Sequence, residues 1–378
     1  MNSPRQAAFS ARRPGVFRLL RSALLLAATM QPAGAVAQSW KTQASNTAAN
    51  LRGISAVNKQ VAWASGTGGT FVRTVDGGEH WQAGVVPGAE QLDFRDVEAF
   101  SDRTAMLLAI GPGERSRIYG TEDGGAHWTM LMQNANPKAF WDCMAWWDAK
   151  HGIVVGDPVN GNFELLITTD GGQTWINGEA PAKANEGAFA ASGSCIAVEG
   201  AYREIRQQAA WQVEARAWFV TGGAAARVFA SSNAGATWAA ATPPMLSGPA
   251  SAGAFSVAFA DANNGVIVGG DYQQPGEARG NVAVSRDGGA SWSRPKGLAP
   301  RGFRSAVAYD RDAKMFVTVG TTGSELSRNG DSWQPVDSEN YNALSFAPDG
   351  GGWAVGPQGK IVVWVPLPHH SRFRPRLP

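Results

Sequence analysis

Short apolar runs of about four to seven residues alternate along the chain with glycine-rich or polar segments. Runs of this length, rich in valine, isoleucine and tryptophan, indicate β-strands, because helices need longer amphipathic stretches. Seven of these runs end in a glycine or an acid and resemble one another. They are residues 61–66, 105–111, 153–157, 217–222, 266–270, 316–320 and 352–356. The pattern predicts an all-β fold made from seven repeated units.

A second repeat follows most of these runs and predicts a hairpin turn. A hydroxyl residue, an acid or amide, a glycine and a tryptophan recur in one order, first as Thr74, Asp76, Gly78 and Trp81. Further copies occupy 121–128, 168–175, 231–238, 285–292 and, shortened, 327–333. The acid caps backbone N–H groups of the turn, and the glycine supplies positive φ. These turns resemble the Asp-box, or BNR repeat, of sialidase-type propellers, so we assign their acids a structural role.

The repeat predicts an all-β, seven-bladed β-propeller, because one small sheet cannot bury both of its faces and needs neighbours on each side. The last unit has no tryptophan turn after residues 361–364, whereas Trp40 stands alone before the first unit. We therefore expect the N-terminal strand to complete the seventh sheet and close the ring, since closure leaves no free strand edge. Residues 38–366 form this predicted domain.

The two ends of the chain differ from the repeats. Five arginines precede an apolar run at 23–28 and the small residues 35–37, which predicts a signal peptide over residues 1–37. Its removal lowers the formal charge from +2 to −3, so we expect no nucleic-acid partner. Residues 367–378 carry Arg372, Arg374 and Arg376 and are expected to be a disordered basic tail. We therefore expect an exported protein that is located in the periplasm, or in the thylakoid lumen if the host is photosynthetic.

The mature chain is expected to have no transmembrane segment, because its apolar runs are too short to span a bilayer. Two cysteines, Cys143 and Cys195, begin equivalent segments of neighbouring units. An oxidising compartment permits a disulfide between them, and a pair of small buried apolar residues explains them equally well.

Polar residues that differ from unit to unit precede the first strand of each unit or follow its second strand. In a propeller these loops meet at one end of the central channel, which is the usual working surface of such folds. Arginine binds anions in two-pronged fashion and aromatic rings stack on ligands, so a protein or peptide partner is expected. Mutual ion pairing that holds the channel open is the alternative. The candidate residues are Arg52, Arg95, Asp96, Trp141, Asp142, Asp157, Glu186, Asp271, Arg304 and Tyr341.

An enzyme is the second possibility. Histidines fall in turns or in the tail and the sequence has no metal-ligand motif, so neither histidine catalysis nor a cofactor is expected. A glycoside hydrolase acting on exported glycans, similar to a sialidase or a xyloglucanase, needs only two suitably spaced carboxylates. The candidates for that alternative are Asp96, Asp142, Asp157 and Tyr341, the tyrosine as a sialidase-like nucleophile.

From about Trp40 to Trp364 the chain resembles the photosystem II stability and assembly factor family. The likeness rests on the segment from Gly352 to Gly356, on Ile361 after its glycine loop, and on the tryptophan turns. The resemblance implies a non-enzymatic assembly factor or scaffold that binds a membrane-protein subunit. We expect the protein itself to be a monomer. It also implies an arginine-bearing face, for which Arg52, Arg95 and Arg304 are the matching residues by position. An extension at 200–213 interrupts the regular repeat.

Overall fold

A computed structural model describes residues 38–207 and 210–365. The predicted signal peptide and the tail from 366 onwards lie outside the described residues, as do residues 208 and 209 of the extension. Apart from one 3-10 turn at Gly113–Arg115, the regular elements of this region are β-strands, which confirms the all-β prediction. None of the helices among the described residues is long and apolar enough to cross a membrane.

The first three sheets each contain four consecutive antiparallel strands in chain order. The first strand of the chain, β1, spans Ser39–Gln43 and belongs to the last sheet described below. The first sheet comprises β2 (Leu51–Ala56), β3 (Ala62–Gly66), β4 (Thr70–Thr74) and β5 (Gln82–Val85). The second comprises β6 (Asp93–Ala99), β7 (Ala105–Ile110), β8 (Arg117–Thr121) and β9 (Thr129–Gln133). The third comprises β10 (Trp141–Trp146), β11 (Gly152–Val159), β12 (Asn162–Thr168) and β13 (Ile176–Pro181).

The next two sheets are interleaved in sequence. The strands here are β14 (Glu186–Gly187), β15 (Ile196–Gln207), β16 (Ala210–Val220), β17 (Gly222–Gly223), β18 (Val228–Ser231), β19 (Ala239–Ala241), β20 (Ala252–Phe259), β21 (Gly265–Asp271) and β22 (Val282–Ser285). One sheet has the order β15-β16-β18-β19, and the other has β14-β17-β20-β21-β22. The predicted extension is a lengthening of the β15–β16 hairpin, whose register shifts between Glu199 and Arg203.

Two further sheets complete the described part. One comprises β23 (Ala306–Asp310), β24 (Met315–Gly320), β25 (Gly323–Ser327) and β26 (Gln334–Asp337). The other contains β27 (Ala343–Phe346), β28 (Gly352–Val355) and β29 (Ile361–Val365), and β1 pairs with the outer edge of β29. In that pairing Trp40 lies opposite Trp364, so the two ends of the described chain are held in one sheet.

The first strands of the sheets pack against one another in sequence order, and β20 counts as the first strand of its sheet because β14 and β17 are two-residue strands added at its edge. β2 contacts β6, β6 contacts β10, β10 contacts β15, β15 contacts β20, β20 contacts β23, and β23 contacts β27, which contacts β2 again. Apolar side chains fill the spaces between neighbouring sheets, and Trp63, Trp141, Trp218 and Trp353 are almost fully buried there. A disulfide joins Cys143 to Cys195 and ties β10 to the segment that enters β15.

The tryptophan turns use their acids as predicted from the sequence. Asp76 Oδ1 accepts the backbone N–H of His80 at 3.0 Å and the hydroxyl of Thr74 at 2.8 Å. Thr74 Oγ1 in turn accepts the backbone N–H of Gly78, whose φ is +84°. Asp76, Glu79 and His80 lie close enough together that they could hold a metal ion. Both carboxylate oxygens of Asp76, however, are already hydrogen-bonded to His80 within the turn. These contacts give the turn acids a structural role.

Candidate functional site

Four first strands carry an extra residue at the same end. The register of β2 shifts around Arg52, that of β6 around Arg95, that of β10 around Asp142, and that of β20 around Phe255. A bulge of this kind lets one side chain leave the alternating pattern of the strand and turn towards a site. All four bulge residues line the same cavity.

This mouth cavity has a volume of about 550 Å³. Its wall combines two arginines, two acids, five aromatic rings, three alanines and a few small polar groups. The residues are Arg52, Arg95, Phe140, Asp142, Asp157, Ala188, Phe189, Ala190, Ala191, Phe255, Tyr272, Phe303, Ser305, Thr321 and Asn342. A mainly apolar pocket with a few convergent polar groups is typical of ligand sites. Four of the ten candidate residues therefore meet here: Arg52, Arg95, Asp142 and Asp157.

The two arginines of the mouth cavity have different surroundings. Arg95 Nε donates to Asp93 Oδ2 at 2.8 Å, and its Nη1 donates to the carbonyl of Ala190 at 2.9 Å. Arg52 Nε is buried and has no hydrogen-bond partner among the described residues. Burial, followed by the positive charge of Arg95, lowers the pKa of Arg52 to about 10. The charge of Asp93 opposes this change. Because a buried N–H without an acceptor is costly, Arg52 is well suited to bind an anion.

The two acids of the mouth cavity lie side by side on paired strands. Asp142 and Asp157 lie diagonally across the Trp141–Gly156 pair of β10 and β11, and both line the mouth cavity. Burial and then the negative charge of Asp157 raise the pKa of Asp142 well above its ordinary value, and the backbone N–H of Ala190 opposes the rise. Within the described chain Asp142 Oδ2 is buried without a hydrogen-bond partner. A protonated Asp142 can donate a hydrogen bond as well as accept one.

A loop segment crosses the mouth of the channel and contacts four sheets. We call residues 188–194 the crossing segment. Its Ala188 N–H donates to Asp157 Oδ1 at 3.0 Å, and Ser192 Oγ donates to the carbonyl of Ser305 at 3.0 Å. Ser194 Oγ donates to Ser256 Oγ at 2.8 Å. These bonds fix the segment between the sheets, and its residues 188–191 form part of the wall of the mouth cavity.

Two glycine positions let the crossing segment fit. Gly193 has φ +76°, and a Cβ there would lie 2.2 Å from Asp96 Oδ1. The ring of Phe189 lies over Gly222 of β17, where a Cβ would approach it to 2.3 Å. Phe189 also stacks on Phe255 with 3.8 Å between ring centroids. The segment is therefore anchored by both polar and aromatic contacts.

Arg304, predicted from the sequence to match Arg52, occupies a different position. Its backbone N–H donates to the carbonyl of Gly269 at 2.9 Å, just as that of Leu51 donates to the carbonyl of Gly356 at 3.1 Å. Leu51 is the buried residue that precedes the bulge residue Arg52. Arg304 is therefore equivalent in the β23 sheet to Leu51 and not to Arg52. Ser305 then takes the cavity-facing position, and it lines the mouth cavity.

The guanidinium of Arg304 is engaged inside the protein. It lies 3.1 Å from Glu325 Oε2 and donates to Thr322 Oγ1 at 2.8 Å. Burial lowers the pKa of Arg304, and the charge of Glu325 opposes this change. Arg304, the expected third arginine of the binding face, therefore does not line the mouth cavity, because it pairs with Glu325 inside the fold.

Trp141 and Tyr341 occupy the same buried position as Leu51. A Cβ on Gly356 would meet Tyr341 Cα at 3.4 Å, as one on Gly66 would meet Leu51 Cα at 3.2 Å. The Tyr341 hydroxyl donates to Asp337 Oδ2 at 2.8 Å, and burial and this hydrogen bond raise its pKa. Tyr341 is therefore placed as a core hydrogen-bond donor, which does not suit a sialidase-like nucleophile.

The remaining candidates make internal contacts. Asp96 Oδ2 accepts the backbone N–H of Met144 at 2.7 Å and links two sheets, and burial and then Glu98 raise its pKa. Glu186 is paired with Arg227, whose Nε lies 2.8 Å from Glu186 Oε1. Asp271 is buried and accepts the backbone N–H of Gln273. For these acids, the alternative of pairing within the fold describes their contacts better than partner binding.

The neighbouring residues Ser305 and Asn342, rather than Arg304 and Tyr341, reach the mouth cavity. The recurring Phe-Arg pair at 94–95 and 303–304 suggested equivalence in the sequence. The backbone hydrogen bonds show that Arg95 is a bulge residue, whereas Arg304 lies one position earlier, at the buried position before Ser305. Tyr272 likewise lines the cavity where its neighbour Asp271 does not.

No family model and no curated protein matches this chain. Solved structures do. A structure of YCF48 bound to D1 peptide has a TM-score of 0.58 at 14% identity, covering 86% of this chain and 95% of that one. YCF48 from Cyanidioschyzon merolae gives 0.55 at 14% identity, covering 86% and 98%. A streptogramin B lyase gives 0.60 at 14% identity, covering 87% and 97%. At this identity the likeness establishes the β-propeller fold alone.

Proposed function

We propose that this protein is a non-enzymatic binding propeller that holds an acidic segment of a protein or peptide partner in its mouth cavity. The observation that carries the proposal is Arg52, whose buried Nε has no hydrogen-bond partner in the described part of the chain and lies at a cavity wall. A carboxylate would supply the missing acceptor. The unused Oδ2 of Asp142 and the stacked rings of Phe189 and Phe255 offer further contacts to a peptide.

The similarity in fold to a structure of YCF48 with a D1 peptide supports a polypeptide ligand. By analogy, we propose a role in assembling or scaffolding a membrane complex. The export signal predicted at 1–37 and the disulfide between Cys143 and Cys195 support a compartment outside the cytoplasm, since disulfides persist in oxidising surroundings.

We further propose that the fold is a seven-bladed propeller closed by the N-terminal strand. The cyclic order of contacts among the first strands supports the blade count. The pairing of β1 with β29 supports the closure. Closure would fix the distance between Arg52 on the first sheet and Asn342 on the last, which lie on opposite sides of the chain junction.

The glycoside hydrolase alternative receives little support from the acids. Asp142 and Asp157 lie on adjacent strands of one sheet, whereas hydrolysis needs two carboxylates on opposite sides of a sugar. Asp96 is bound to the backbone of Met144. The geometry therefore favours binding.

The experiment is an affinity capture with matched variants. The full chain, produced under oxidising conditions, is immobilised and exposed to detergent-solubilised envelope proteins from its host. Arg52→Met should reduce recovery of a specific partner about 10- to 100-fold, because a hydrogen-bonded charge contributes about 1.5–3 kcal/mol. Arg103→Met, an exposed arginine in the hairpin between β6 and β7, is the control. A partner retained equally by both variants would overturn the proposal.

A further inference from the structure

A second cavity lies beside the mouth cavity. This outer groove has a volume of about 850 Å³ and lies between the third sheet and the sheet of β20. The residues that line this groove and not the mouth cavity include Lys138, Lys183, Asn185, Gly223 and Ala250. None of the predictions from the sequence included either lysine.

The outer groove is continuous with the mouth cavity. Both are lined by Phe140, Asp157, Ala188 and Phe189. Ala188 and Phe189 belong to the crossing segment, which therefore forms a ridge shared by the two cavities. An extended chain that lies in one cavity can cross this ridge into the other.

The groove presents positive charge to solvent. Lys138 and Lys183 are exposed, and their ammonium groups have no ion-pair partner in residues 38–207 and 210–365. The acids nearby are already used, because Glu186 is buried against Arg227 and Asp157 Oδ1 accepts the N–H of Ala188. The two lysines thus remain available to an anionic ligand.

The shared ridge is mainly apolar. Phe140 and Phe189 of the ridge are half-buried, and alanines at 182, 184, 188 and 250 also line the groove. Aromatic rings and methyl groups suit the aliphatic or aromatic side chains of a peptide. A polypeptide with an apolar stretch between two acidic positions matches this order of surfaces.

Resting on the proposed function, we infer that the outer groove is the second half of the partner site. It takes acidic side chains of the same extended peptide whose other carboxylate binds Arg52, and the apolar middle of that peptide crosses Phe140 and Phe189. Together the two cavities recognise a peptide that has an acidic residue, an apolar stretch and a second acidic residue.

The test uses a displayed library of random twelve-residue peptides, followed by fluorescence polarisation with the selected peptides. The Lys138→Glu/Lys183→Glu double variant is compared with wild type. The matched control is Lys59→Glu/Lys150→Glu, which makes the same change of charge at exposed lysines beside the tryptophan turns. Arg52→Met is tested in parallel. A short oligogalacturonate serves as a polyanionic sugar probe.

Wild type should select peptides with two separated acidic positions. The Lys138/Lys183 variant should bind them about 3- to 10-fold more weakly, since exposed pairs contribute about 0.2–1 kcal/mol each and reversal adds repulsion. It should also reselect peptides in which only one acidic position is kept. Equal binding by this variant and the Lys59/Lys150 control would overturn the inference while leaving the proposed function intact.

Two other outcomes bear on both proposals. If wild type selects no peptide, or if selected peptides bind equally well to Arg52→Met, the proposed function itself fails. If oligogalacturonate binds in a lysine-dependent manner and peptides do not, the occupant is an anionic polysaccharide and both proposals are wrong.

Discussion

Aspartates in the tryptophan turns and at the mouth cavity have pKa values that are shifted in opposite directions. In the tryptophan turns, hydrogen bonds from the backbone and side chain of His80 lower the pKa of Asp76 to about 2. At the mouth cavity, burial and Asp157 raise the pKa of Asp142 well above its usual value. The turns repeat one set of hydrogen bonds to their aspartate or asparagine, whereas the mouth differs from sheet to sheet. Repetition therefore marks residues that maintain the fold, and variation marks candidates for binding.

The contrast between Arg304 and Arg52 gives the largest expected effect. Arg304→Met should lower the free energy of unfolding by about 3–5 kcal/mol, because the buried Glu325 would lose its nearest cation and keep only the exposed Arg301, 3.9 Å away. Arg52→Met should change stability by less than about 1 kcal/mol, since it removes an unfavourably buried charge. Urea denaturation under oxidising conditions measures both. Equal destabilisation by the two variants would contradict the different positions assigned to these arginines.

The disulfide gives the next largest effect. It closes a loop with a sequence separation of 52 residues, and Cys143→Ser/Cys195→Ser should cost about 2–4 kcal/mol. Because Cys195 directly follows the crossing segment, that segment should also exchange its amide hydrogens faster in the variant. The expectation fails if stability and exchange both match those of wild type. Dithiothreitol-treated wild type, once reduction is verified by mass, is the matched comparison.

Asp142 should make the protein less stable as pH rises. Its pKa is raised in the folded state, so the folded protein holds the proton more tightly, and stability falls between the ordinary pKa of about 3.9 and the higher folded value. Asp142→Asn should remove this decline and be more stable than wild type at neutral pH. The two proteins should converge below about pH 4. Melting temperatures across this pH range decide it, and parallel profiles would count against a buried, protonated Asp142.

Asp76 should show the opposite sign and the smallest effect. Its folded pKa is lowered, so its contribution is present above the ordinary pKa and is lost as pH falls towards about 2. Asp76→Asn should be slightly less stable than wild type at neutral pH and equal to it in acid. The loss is small because Asn233 caps an equivalent turn in the same protein. A gain in stability at neutral pH would contradict the structural role of the turn acids.

The elements that repeat could be predicted from the sequence. Strand positions, the capping acids of the turns and the cavity residues Arg52, Arg95 and Asp142 all follow from periodicity, because each copy confirms the others. Arg304 could not be placed, because a difference of one residue in register exchanges a buried position for an exposed one. The neighbouring residue Ser305 faces the cavity instead.

The backbone contacts of the crossing segment could not be predicted from the sequence. Its contacts with Arg95, Asp142 and Asp157 come from the backbone of Ala188 and Ala190. Every residue except proline carries these same backbone groups, so composition and spacing give no signal for them. The lysines of the outer groove were missed for a related reason, since an isolated surface lysine has no motif.

Hydrogen–deuterium exchange of the complex with its captured partner tests the central claim most directly. Binding at the mouth predicts slower exchange in the crossing segment, residues 188–194, and in β20 around Phe255, with exchange in the tryptophan turns unchanged. Protection confined to the turns, with the crossing segment unaffected, would contradict the assignment of binding to the mouth cavity.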